Sequence, residues 1–139
     1  MDKKALLFNS TAAFFFILRQ NKSYANALLD DRALTRTDSV RTGKSYTGSV
    51  FAFHHNEVFT RFSLDNTCTW NVDKVPFLKE AKITLEKMLF SPHFVFSYKL
   101  KKGEIIILLN SKISHGRNEF IDSHKNQRLL FRALFEQLV

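Results

Sequence analysis

The chain has 139 residues, 45% of them hydrophobic: enough for one domain with a real core, and too apolar for wholesale disorder. Lys and Arg outnumber Asp and Glu 21 to 13, a net charge of +8 that favours anionic partners. The basic residues are scattered, with no basic run interleaved with aromatics, which argues against a nucleic-acid surface. The single cysteine, Cys68, excludes an internal disulfide and a zinc-finger framework, and fits a reducing, cytoplasmic setting.

Residues 5–18 follow Met1-Asp2-Lys3-Lys4 as an apolar stretch with the outline of a signal peptide, and Ala25-Asn26-Ala27 mimics a cleavage site. Asn9, Ser10 and Thr11 interrupt that stretch, however, and Arg19 and Lys22 sit where a cleavage region is neutral. The stretch is also too short to span a bilayer. The favoured reading is a buried helix with Ser10 or Thr11 as its N-cap, then a second helical piece over residues 22–29. Phe14, Phe15 and Phe16 are assigned to core packing in preference to a membrane surface.

Residues 32–48 are rich in Thr, Ser, Arg and Gly without a period, and read as a loop with a short extended piece over 34–37. Residues 49–64 read as a β-hairpin: Val50, Phe51 and Phe53 lead in, His55-Asn56-Glu57 make the turn, and Val58, Phe59, Arg61 and Phe62 lead out. Residues 65–73 form a connection in which Cys68, with no base nearby in sequence, is a packing residue. The clearest helix covers 75–90, where Phe77, Ala81, Leu85, Met88 and Leu89 fall on one stripe. Asp73 is its candidate N-cap, Pro76 fits the first turn, and Ser91-Pro92 stop it. Residues 94–100 alternate as a strand, and Lys101-Lys102-Gly103 turn the chain into the apolar run 105–109. That run, bounded by turn signals, predicts a strand buried on both faces. His115 follows just past its end. Residues 128–135 alternate again, with Arg128 and Arg132 an even number of residues apart and so on one face.

One stretch carries chemistry as a set. Gly103-Glu104, the apolar run, the Asn110-Ser111 corner, His115-Gly116-Arg117 and the Arg128/Arg132 pair occur in that order over some thirty residues. The set resembles the C-terminal end of iron(II)/2-oxoglutarate-dependent oxygenases of the taurine dioxygenase and clavaminate synthase-like group. The resemblance runs from about residue 11 to 135, and members of the group are considerably longer at the N-terminus. It implies an α+β, mainly β fold, a partial double-stranded β-helix (jelly roll) with flanking helices. It implies His115 as the distal histidine of a 2-His-1-carboxylate iron site, with iron(II) and 2-oxoglutarate as cofactors. Arg128 would pair with the far carboxylate of 2-oxoglutarate, and Arg132 would lie near the oxoacid or the substrate. A small polar or amino-acid-like substrate is the family-level expectation, with no nucleic-acid or membrane partner. The group's counterpart of residues 32–48 lies over the active-site mouth, where Arg36 and Arg41 could touch a substrate, although the residues alone favour a solvated loop.

His55-Asn56-Glu57 has the H-x-[DE] form of the other two ligands, but its place at a hairpin tip points it to solvent. The segment over residues 29–38 also looks like a part of the family that follows the first ligand motif. The expectation is therefore that residues 1–139 form a single domain, the C-terminal portion of an oxygenase domain, inactive alone and with open sheet edges available for self-association. Two rivals stay open: a compact triad of His55, Glu57 and His115, and a non-catalytic binding or regulatory module built on a remnant barrel.

Overall fold

The structure, a computed structural model, describes residues 5–38, 42–109, 111–117, 131 and 133. Their elements run, in chain order, β1 (Ala5–Asn9), α1 (Ser10–Gln20), α2 (Lys22–Leu29), β2 (Leu34–Thr37), β3 (Ser45–Gly48), β4 (Phe51–His54), β5 (Glu57–Thr60), β6 (Cys68–Trp70), α3 (Leu78–Met88), β7 (Val95–Tyr98) and β8 (Ile113–Arg117). The expected mixture of strands and helices is present. All pairings are antiparallel and fall into three small sheets, ordered β7-β1-β8, β3-β2-β6 and β4-β5.

Helix α1 starts one residue earlier than the sequence suggests. Asn9 is the N-cap, its side-chain oxygen accepting from the Ala12 amide at 3.0 Å. Ser10, Ala13, Phe14 and Ile17, spaced three and four apart, form its buried face, whereas Phe15 and Phe16 are exposed. Asn21 both ends α1, donating to the Ile17 carbonyl at 2.8 Å, and caps α2 by accepting from the amides of Ser23 and Tyr24. Ahead of α1, residues 5–9 form β1 at the centre of the first sheet, a strand the sequence reading did not separate from the helix.

Helix α3 is shorter than the periodicity predicted. It begins at Leu78, after Phe77 takes a left-handed conformation (φ 62°), so Asp73 is not its N-cap. The buried stripe is Leu78, Ala81, Leu85 and Met88; Phe77, expected on it, is 55% exposed. The three helices pack on one another, and α1 and α2 pack on the β4-β5 hairpin. Phe14, Ile17, Leu28, Val50, Phe51, Leu78 and Leu85 are fully buried among them. The Phe51 ring lies 5.0 Å from Phe14 and 5.9 Å from Phe62 between centroids, and each such ring contributes roughly 1.5–3 kcal/mol by leaving water.

The hairpin is as the sequence predicts, with a tighter turn. His55 and Asn56 take positive φ (47° and 64°), the geometry of a two-residue turn matched to strand twist, and Glu57 opens β5. The extended piece at 34–37 is β2, and β3 and β6, read as loop and connection, are its two partners. The apolar run 105–109 departs from expectation. It forms no strand, and Ile105 and Ile107 are 85% and 92% exposed while Ile106 and Leu108 are half-buried. Burial on both faces needs a layer on each side, and the described residues cover only one.

Candidate functional site

His115 lies within β8 and not past the end of a strand. It sits opposite Leu7 of β1, and Leu7 in turn sits opposite Phe96 of β7. Directly paired residues share a face, so Phe96, Leu7 and His115 form one row across the sheet. Phe8 and Ser114 point the other way, and Phe8 is buried in the core against Phe62. The imidazole therefore belongs to the face opposite the helical core, where both it and Phe96 are exposed.

The start of β8 is pinned from three sides. The Lys112 carbonyl accepts from the buried Ser10 hydroxyl at 2.8 Å, the Ser111 carbonyl accepts from the Thr60 amide at 2.8 Å, and Lys112 Nζ lies 3.0 Å from Glu57 Oε1. The ion pair is half-exposed and worth little alone; the two backbone-directed bonds fix the register that places His115. Before it, the turn after β7 closes on Gly103 (φ 86°). There Glu104 accepts from the Lys101 amide at 2.6 Å and the Tyr98 hydroxyl at 3.0 Å, so its carboxyl sits below the usual range, chiefly through the Lys101 amide.

Glu57 faces Lys112, and His55 meets His54 edge to face with ring centroids 4.1 Å apart at the hairpin tip. Among the described residues no three His, Cys, Asp or Glu side chains are grouped to hold a metal, so His55, Glu57 and His115 do not assemble as a triad. An iron site of the facial type needs three donors on one face, and one imidazole is a fitting donor that does not complete the set by itself. Arg128, Arg132 and Arg41 lie outside the described residues. Arg36 is on β2, the extended piece expected over 34–37, and is exposed. Sequence reasoning passed over Arg61 and Tyr46, whose relation to Arg36 depends on a strand pairing that no local pattern signals. No helix among the described residues is long and apolar enough to cross a membrane.

The strands and helices define an α+β chain built from antiparallel sheets, with a histidine held in register on an open sheet face. No family model matches the chain. Over 136 residues it is 32% identical to a uridine-5'-phosphate dioxygenase of an Amycolatopsis species, a match that takes in 95% of this chain and 50% of that protein. The chain thus spans about half the length of the curated relative it matches.

Proposed function

We propose that the chain is part of an iron(II)- and 2-oxoglutarate-dependent oxygenase, contributing the distal histidine and the oxoacid-binding arginines to a jelly-roll domain. The observation that carries this reading is the similarity to a dioxygenase along nearly the whole chain, together with the register that fixes His115 on an open face of the β7-β1-β8 sheet. In this reading His115 is one metal ligand, and the other two come from outside the described residues. Arg128 grips the far carboxylate of 2-oxoglutarate, and Arg132 lies beside the oxoacid or the substrate. When bound, the metal and oxoacid would supply the activation of dioxygen that hydroxylation needs. The residues of this chain bind and orient, and alone they do not turn over. The substrate is a small phosphorylated nucleoside or a close relative, after the relative's uridine 5'-phosphate and in place of the amino-acid-like class. The net +8 charge suits such an anion.

The test is turnover in a chimera that joins this chain to the part of the Amycolatopsis enzyme it does not match. With iron(II), 2-oxoglutarate, dioxygen and uridine 5'-phosphate, the chimera should form succinate. His115→Ala should abolish succinate formation, and Arg128→Gln should raise the 2-oxoglutarate requirement. Succinate formation unchanged in His115→Ala would refute the assignment.

A further inference from the structure

The β3-β2-β6 sheet has two unlike faces. Thr35 and Thr37 on β2 stand opposite Thr47 and Ser45 on β3, and their hydroxyls bond in pairs at 2.9 and 2.8 Å. That face satisfies itself and stiffens the ladder. On the other face Arg36 stands opposite Tyr46, and Leu34 stands opposite Gly48.

Gly48 matters for what covers it. A Cβ there would run into the Arg61 guanidinium, with Cζ at 3.2 Å, so Arg61 reaches across from the end of β5 to occupy the place of the missing side chain. Its main chain is anchored, the amide donating to the Val50 carbonyl at 3.0 Å. Arg36 leans toward it, with Nη1 3.5 Å from the Arg61 carbonyl. Two guanidinium groups are thereby brought to one face. Among the described residues neither forms an ion pair, whereas Arg32 is held by Asp30. Asp65 lies within electrostatic reach of Arg36, which helps hold its carboxyl below the usual range, but that carboxylate is lowered chiefly by the Thr67 hydroxyl and also accepts from the Thr67 amide at 2.8 Å. Beside the pair the Tyr46 side chain is 60% exposed.

Two forked cationic donors, neither in an ion pair among the described residues, over a glycine and next to an open aromatic ring, match a phosphate monoester carried on a planar base. We propose that Arg36 and Arg61 form the phosphate-binding subsite of this chain, with Tyr46 alongside the base of a small nucleotide. The assignment deepens the oxygenase reading and rests on it for the identity of the nucleotide.

The chain, free of metal and oxoacid, is titrated at low salt with uridine 5'-phosphate, uridine and inorganic phosphate, following the arginine Nε–Hε resonances. Uridine 5'-phosphate should bind, with uridine weaker by about tenfold to a hundredfold, since hydrogen bonds to a charged group are at stake. Arg36→Gln and Arg61→Gln should each weaken nucleotide binding about tenfold or more, while Arg19→Gln on α1 leaves it unchanged. Gly48→Ala adds one methyl against the mobile end of a side chain, so it should fold normally and weaken binding by displacing Arg61. Inorganic phosphate should bind more weakly than the nucleotide, and Tyr46→Ala should erase that difference.

Equal binding of uridine and uridine 5'-phosphate, or nucleotide binding indifferent to both glutamine variants, would overturn the subsite. So would inorganic phosphate binding as tightly as the nucleotide, which would leave a free-phosphate site. Arginine-dependent nucleotide binding in a chain whose chimera makes no succinate would keep the subsite and remove the oxygenase. Succinate formation with no arginine-dependent binding would do the reverse.

Discussion

Replacing Ser10 by alanine tests how the site strand is held. Ser10 is fully buried, and its hydroxyl donates to the Lys112 carbonyl at 2.8 Å, joining residues 102 apart in sequence. Alanine keeps the Cβ and the helix but leaves that carbonyl without its donor. A part-buried carbonyl so abandoned costs about 1–2 kcal/mol, a little under the range for full burial. For a chain of this size that is a fall of about 3–7 °C in Tm. The neighbouring Thr11 hydroxyl is the internal control, being buried with no hydrogen-bond partner among the described residues. Thr11→Ala removes an unsatisfied oxygen together with a methyl group, two changes of opposite sign that should leave stability within about 1 kcal/mol of the parent. Urea unfolding at a common m-value measures both. Amide exchange across residues 113–117 should quicken in Ser10→Ala alone. Equal stability of Ser10→Ala and the parent, or an equal loss in both variants, would refute the pinning of β8 through this bond.

Other outcomes follow from the packing and charges. Phe51→Ala, in a fully buried ring contacting Phe14 and Phe62, should cost about 3–5 kcal/mol by denaturant unfolding. Ile107→Ser should change stability by no more than about 0.5 kcal/mol, because the side chain is already in water. The bidentate Arg32 contact holds the Asp30 carboxyl at about 2. Its folded value lies below that of the unfolded chain, about 3.9, so its contribution is full above that pH and is lost as pH falls from about 4 toward 2. In Arg32→Gln the Asp30 resonance should titrate nearer the ordinary carboxylate range, and an unchanged midpoint would show that arginine is not the cause.

Local patterns carried the parts of the fold that local physics decides. The β4-β5 hairpin was legible because Asn56 tolerates the left-handed backbone its turn needs, between alternating apolar residues. The existence of α3 was legible from its period, but not its start, which a left-handed Phe77 sets. β1 was hidden because residues 5–9 and the apolar face of α1 form one nearly continuous run, and such a run does not separate strand from helix. β3 is exposed along most of its length and is held by paired hydroxyls from β2, a contact between segments the sequence keeps apart. The run 105–109 was misjudged for the same reason: apolarity is local, whereas the layer that would cover it is not. For the candidate site the sequence could nominate His115 by its motif, but the row it forms with Leu7 and Phe96 required the pairing of β8 with β1.

Anaerobic titration with iron(II) and 2-oxoglutarate, followed by the visible charge-transfer band of the chelate, tests the central claim most directly. The chain alone should show no saturable band, the chimera with the unmatched part of the Amycolatopsis enzyme should show one, and His115→Ala should remove it. A saturable band in the chain alone that is lost in both Glu57→Ala and His115→Ala would contradict the account, because it would place a complete triad within these residues.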